Sequence, residues 1–153
     1  MDASVVESKA LLVSPEHLAS NATLWEFVRK GLDAVKAKIG TRSAWTPMHV
    51  RQAILNKGSE LWIVLDGEEP VGFYVLSLIT DPFINVPTTL FVWIAYAIPG
   101  KWGLIPRHFQ DVKERARYLG VDRIEMMSPR IGWLRKLIPL GWEVSERIYG
   151  CKV

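Results

Sequence analysis

With 153 residues, 49% of them hydrophobic and seven of them Trp, the chain is long enough to bury a substantial core and reads as one domain over residues 1–153, which excludes a disordered protein. The longest apolar run, Leu90 to Ile98, is too short for a membrane span, Asp2 and Glu7 stand where an export signal needs positive charge, and the single Cys151 rules out an intrachain disulfide. A net charge of +3 is unevenly spread: residues 1–100 carry eight Lys/Arg against ten Asp/Glu, residues 101–136 nine against four, and residues 137–153 two of each.

A cytoplasmic chain with no membrane partner is therefore expected. His17, His49 and His108 are scattered without ligand-like spacing, so no metal is expected either. The basic excess in residues 101–136 has two open readings. One is a solvated helix face; the other is an anion site, for cofactor phosphates or for nucleic acid.

In chain order, Ala10 to Val13 suit a short edge strand, and Ser14-Pro15 reads as the N-cap and first residue of a short helix. Thr23 and Glu26 form a capping-box pattern for a second helix. Its inward stripe is Leu24, Val28, Leu32, Val35 and Ile39, and Gly40 is its stop. Thr46-Pro47 starts a third helix with Val50, Ala53 and Ile54 inward and Gly58 past its end. A hairpin comes next, with strands over 60–66 and 70–80 joined by the polar turn Asp66-Gly67-Glu68-Glu69-Pro70.

Residues 88–98 hold five β-branched residues and three aromatics and predict a strand buried on both faces. Residues 122–128 predict another. The helix expected between them, Pro106 to Leu119, carries the stripe Ile105, Phe109, Val112, Ala116 and Leu119 and stops at Gly120. A helix linking two strands implies a right-handed crossover and a parallel pair. A short helix over 130–137 and a closing strand over 142–153 complete a mixed α/β fold with antiparallel strands first and a parallel pair afterwards.

This order of elements resembles the GCN5-related N-acetyltransferase (GNAT) superfamily across about residues 10–150, with Leu140-Gly141-Trp142 standing where that superfamily closes its last helix onto its last strand. The words Trp45-Thr46-Pro47 with Val50, Leu90-Phe91-Val92-Trp93, Ser128-Pro129-Arg130 with Gly132-Trp133, and Gly141 before an aromatic are similar to small acetyltransferase-like proteins of tailed bacteriophages. The resemblance implies a splayed pair of fourth and fifth strands admitting the pantetheine arm of acetyl-CoA, and a following helix whose N-terminus faces the pyrophosphate. Ala95 and Ala97 would then supply backbone donors, and Gly100, Lys101, Gly103 and Arg107 would meet the phosphates. The subgroup implies a protein of the host-cell cytoplasm or the virion, with other virion proteins as partners.

The departures from the superfamily are as informative. The loop Ile98-Pro99-Gly100-Lys101-Trp102-Gly103-Leu104-Ile105-Pro106 spaces its glycines differently, inserts a bulky Trp102, and loses a donor at Pro106. It either cradles phosphate or simply turns the chain. Leu137 occupies the place of the usual Tyr general acid, and residues 83–98 hold no Asp or Glu to act as base. Tyr96 is a substitute proton donor or a packed aromatic; His108 is a substitute acid or base, or an exposed surface residue. Arg130 is a ligand or partner contact, or it pairs with Glu125 or Asp122; Trp133 is core or a binding wall. The expected function is a catalytically degenerate acetyltransferase-like phage protein of the virion or its assembly, binding acetyl-CoA weakly or not at all. The alternative is an active enzyme moving acetyl from acetyl-CoA to a primary amine.

Overall fold

A computed structural model describes residues 8–39, 44–127, 132–144 and 150–152, for 132–134 the backbone alone. The elements are β1 (Ser8–Val13), α1 (Pro15–Ser20), α2 (Ala22–Ile39), α3 (Pro47–Leu55), β2 (Glu60–Asp66), β3 (Glu69–Asp81), β4 (Val86–Ala97), α4 (Leu104–Tyr118), β5 (Ile124–Met126) and α5 (Gly132–Leu137), which runs into a 3-10 turn over Ile138–Leu140.

Local chemistry sets most of these boundaries. Ser14 Oγ accepts the His17 N–H at 3.1 Å and Pro15 occupies the first helical position. Thr46 caps α3, and His49 completes a capping box by accepting the Thr46 N–H at its Nδ1, 3.0 Å away. The cap expected at Thr23 is displaced. Asn21, an equally good cap, starts α2 one residue after its own position and accepts the Leu24 N–H at 3.0 Å. Glu26 is left to pair with Arg29 on the solvent face at 2.7 Å. Gly40, the expected stop, lies outside the described residues.

The strands form one sheet in the order β1-β2-β3-β4-β5. The first four are antiparallel neighbours, and β4 pairs parallel with β5, as the crossover through α4 predicts. Strand alternation sends neighbouring residues to opposite faces. Phe73 and Val75 join Leu18, Val28, Leu32 and Ile54 in a core under α1–α3, while Tyr74 and Leu76 join Ile105, Phe109, Val112 and Ala116 in a second core under α4. The sheet is thus covered on both sides.

One irregularity sets which groups β4 presents on each face. The β3–β4 register passes from Val75↔Ile94 to Leu76↔Val92, so Trp93 bulges out of the ladder. The bulge flips the alternation: Leu90 and Val92 face the α4 core, and so do Ala95 and Ala97 beyond it, while Ile94 faces the other core. Trp93 itself is 51% exposed, so β4 is not buried on both faces along its whole length, as its composition suggested.

The last strand of the pair is shorter than the expected 122–128. It spans three residues, because Asp122 and Arg123 precede it in open chain and only Leu90, Phe91 and Val92 of β4 face it. Of the closing strand expected over 142–153, residues 142–144 and 150–152 are not strand; residues 145–149 and 153 lie outside the described residues. No helix among the described residues is long and apolar enough to cross a membrane.

Candidate functional site

Among the described residues β5 pairs with β4 only at Leu90, Phe91 and Val92, so the part of β4 beyond the Trp93 bulge has no described neighbour on that side. Leu90 N–H bonds to the Arg123 carbonyl at 3.0 Å, so even-numbered residues before the bulge turn their backbone groups toward β5. Beyond it, the Ile98 N–H bonds to the Val71 carbonyl at 2.9 Å, and alternation along the antiparallel ladder then directs the amides of Ala97 and Ala95 away from β3. No described strand pairs with that edge. Two successive outward amides beyond the end of the parallel pairing can bind an extended, amide-bearing chain in the manner of a missing strand, or polarise a carbonyl.

The loop that should hold a pyrophosphate is less accommodating. Gly100 adopts φ +85°, a left-handed conformation that turns the chain back after β4. Inside the loop the amides bond to one another: Lys101 N–H to the Ile98 carbonyl at 3.0 Å, Leu104 N–H to Lys101 at 3.0 Å, and Ile105 N–H to Trp102 at 3.3 Å. Helix α4 begins at Leu104, two residues ahead of the expected Pro106. Its first three residues are therefore Leu104 and Ile105, whose N–H groups are already used, and Pro106, which has none. A helix start that offers no amide from its first three positions makes a poor anion site, whatever its dipole. Gly103, the N-cap, provides no side-chain cap.

The side chains expected to compensate do not converge. Lys101 reaches back to Asp66 at the end of β2, Nζ to Oδ2 2.8 Å, and that hydrogen bond pushes its pKa up. Arg107 is exposed and lines a different cleft, between α4 and β1. Two lysines that sequence reasoning did not single out reach the loop from other elements: Lys38 and Lys136 lie over the Trp102 ring, at 5.4 and 5.8 Å from its centroid. They reach it from α2 and α5, a meeting that only the tertiary structure produces.

Tyr96 and His108, the substitute proton carriers, sit on opposite faces of the sheet. Tyr96 packs against Phe73, Trp102 and Phe27, with centroids 5.4, 6.1 and 6.4 Å away. His108 corrects the surface reading: it is 7% exposed, with Nδ1 2.9 Å from Asp111 Oδ2 and Nε2 2.7 Å from Ser8 Oγ. The His108/Asp111 spacing of three was visible as a helical pair; Ser8, a hundred positions away, was not. Leu137 is buried in the α4 core. Trp142, next to Gly141 at φ +89°, packs its ring 5.5 Å from Phe109. Arg130 lies outside the described residues, as does the Trp133 side chain; Glu125, one of the partners considered for Arg130, holds Arg123 at 3.4 Å. Among the described residues no group of His, Cys, Asp and Glu could hold a metal ion.

Beneath the α4–β1 cleft, Arg115 and Glu60 form a bidentate ion pair, with Arg115 Nε donating to Glu60 Oε1 at 3.1 Å and Nη2 to Oε2. Trp62 Nε1 donates to the same Oε1 at 3.1 Å, and the Arg115 guanidinium lies 5.9 Å from the Trp62 ring centre. Arg115→Met keeps the packing but leaves a half-buried carboxylate with one neutral donor. It is expected to cost about 1–2 kcal/mol in urea denaturation, less than a fully buried pair because both groups retain some solvent. A loss below about 0.3 kcal/mol would show that water replaces the pair without penalty.

No protein-family model and no curated protein matches the sequence. Solved structures do. A probable acetyltransferase superposes with a TM-score of 0.70 at 13% identity, covering 95% of this chain and 97% of its own. The ribosomal-protein-alanine N-acetyltransferase of Brucella melitensis biovar Abortus 2308 gives 0.66 at 12% identity, with 95% and 99% covered. A predicted acetyltransferase of Clostridium acetobutylicum, solved with acetyl-CoA, gives 0.67 at 12% identity, with 95% and 96% covered. The chain has the GNAT-like acyl-CoA N-acyltransferase fold, and at these identities the likeness speaks for the fold alone.

Proposed function

We propose that the protein is a catalytically degenerate member of the acetyltransferase-like proteins, working by contact in a phage particle or its assembly and binding acetyl-CoA weakly or not at all. The observation that carries this reading is the start of α4: Leu104 and Ile105 spend their amides on the preceding turn and Pro106 has none. The donors that would grip a pyrophosphate are consumed, so the cofactor's phosphates do not fit this site. Leu137 in the core, where the superfamily's proton-donating Tyr is expected, supports the loss of chemistry. The β3–β4 tip supports a contact role. Asp81 Oδ1 accepts the N–H groups of Phe83 and Ile84 at 2.7 and 3.2 Å, and the ordered turn holds Phe83, Ile84 and Val86 out in solvent. The phage setting rests on the resemblance of Trp45-Thr46-Pro47, Leu90-Phe91-Val92-Trp93 and Gly141-Trp142 to words of tailed-phage proteins.

The outward amides of Ala95 and Ala97 favour a second reading, an active N-acetyltransferase acting on a primary amine. There the amine would attack the thioester carbonyl directly, with those amides opposite the developing oxyanion. Calorimetric titration with acetyl-CoA, combined with a thiol-release assay on a panel of primary amines, separates the two. The degenerate reading expects a Kd no tighter than about 0.1 mM, a binding free energy near −5.5 kcal/mol, and no amine-dependent CoA release. Micromolar binding with turnover would establish the enzyme instead. Residual binding should weaken in Lys38→Ala and Lys136→Ala and with added salt, since their contribution is electrostatic.

A further inference from the structure

We propose that Ser8, His108 and Asp111 form a second site, a serine nucleophile with its base and orienting carboxylate, that hydrolyses small esters or thioesters carrying an anionic group beyond the scissile bond. The three residues come from different elements. Ser8 lies on β1, where it shares the α4-facing side with Ala10, and His108 and Asp111 lie one turn apart on α4. Ser8 Oγ is 2.7 Å from His108 Nε2, and His108 Nδ1 is 2.9 Å from Asp111 Oδ2. Nucleophile to base and base to carboxylate are both at hydrogen-bonding distance, on the two different ring nitrogens. That is the arrangement in which an imidazole can take a hydroxyl proton while its other nitrogen is held.

The site is also reachable. These side chains line a cleft of about 560 Å³ between β1 and α4. The imidazole is shielded while Ser8 is half-exposed. Trp62 forms an apolar wall, stacked on Tyr74 with ring centres 6.1 Å apart and planes 13° from parallel. Arg107 stands at the rim and among the described residues has no ion-pair partner, whereas Arg115 is committed to Glu60. Such a cation beside an apolar wall suits an acyl or alkyl group with an anionic tail. Below the wall, the Tyr74 hydroxyl is buried without a hydrogen-bond partner. Burial first, then the Asp111 and Glu60 carboxylates, push its pKa up, so it keeps its proton. β1 is the sheet edge, and among the described residues nothing pairs with its outer side, which leaves alternate amides there as oxyanion donors.

The chemistry balances with water as the only co-reactant. Ser8 Oγ bonds to the carbonyl carbon as its proton passes to His108 Nε2; the bond to the leaving oxygen or sulfur breaks and that atom takes the proton. Water then attacks the acyl-Ser8 carbonyl, gives its proton to Nε2, and Ser8 Oγ leaves and recovers it. The products are the free acid and the alcohol or thiol. Ser8 and His108 are the catalytic residues of this site, and Asp111 positions the ring.

Two probes test it: an alkyl fluorophosphonate, mapped by peptide mass spectrometry, and mono-p-nitrophenyl succinate, compared with p-nitrophenyl acetate. The expected results are a single fluorophosphonate adduct on Ser8, faster turnover of the anionic ester, and a loss of at least ~100-fold in its hydrolysis in Ser8→Ala. Ser8→Ala, on a half-exposed edge position, keeps the fold, so the result stands even where His108→Gln fails to fold. Asp111→Asn should lower kcat with KM unchanged, and Asp111→Glu should regain part of it. An adduct elsewhere in the folded protein, or Ser8→Ala hydrolysis within about twofold of the parent, overturns the site. Equal rates for Asp111→Asn and Asp111→Glu overturn the positioning role.

Discussion

Gly72→Ala is expected to destabilise the protein by about 3 kcal/mol, at the upper end of what a single added methyl costs in a packed interior, and to lower Tm by roughly 6–12 °C for a domain of this size. A Cβ at position 72 would sit 2.5 Å from the Tyr96 carbonyl oxygen, 2.9 Å from Ile105 Cδ1 and 3.3 Å from Ala97 Cα. Two of those three obstacles are β4 backbone, fixed in the ladder with β3, so the strands themselves must part. Gly31→Ala is the contrasting control. Its Cβ would meet the rings of Phe73 at 2.4 Å and Tyr96 at 2.7 Å, a severe clash, but α2 gains about 1 kcal/mol of helix propensity from Ala. A smaller net loss, about 1–2 kcal/mol, is expected there. Scanning calorimetry with urea melts reads both, and a Gly72→Ala protein within about 0.5 kcal/mol of the parent would mean that β3 and β4 are not so closely apposed.

Phe109→Ala is expected to cost about 3–5 kcal/mol, the range for removing a fully buried aromatic. Phe109 is enclosed between the two faces of the α4 core: its ring centre lies 6.3 Å from Tyr74, nearly edge-on, and 5.5 Å from Trp142. The cavity would open between sheet, helix and Trp142 at once. Phe109→Leu, close to volume-conserving, should cost less than about 1.5 kcal/mol. Equal losses in the two variants would show that the ring's shape matters more than the volume it fills.

The sequence by itself determined those features whose physics is local. The caps at Ser14 and Thr46, the hairpin around Asp66–Pro70, the inward stripe of α4 and the parallel pairing it forces were legible because each depends on neighbours within a turn or on simple periodicity. The boundary errors have equally local causes. Pro106 reads as a helix start, yet all of the first three helical positions lack an intrahelical donor bond, so α4 tolerates it at the third. Asn21 and Thr23 are near-equal caps, and nothing local decides between them.

What only the tertiary structure decided are the meetings between residues far apart in the chain. The bulge at Trp93 depends on how β4 must match β3, and it selects which amides beyond it point away from β3. Lys101 looks like a phosphate ligand in the sequence but finds Asp66 thirty-five positions away. His108 looks like a surface residue until β1 brings Ser8 against it across a hundred positions. Periodicity tells a side chain which face to occupy; it carries no information about which partner the opposite element delivers to that face.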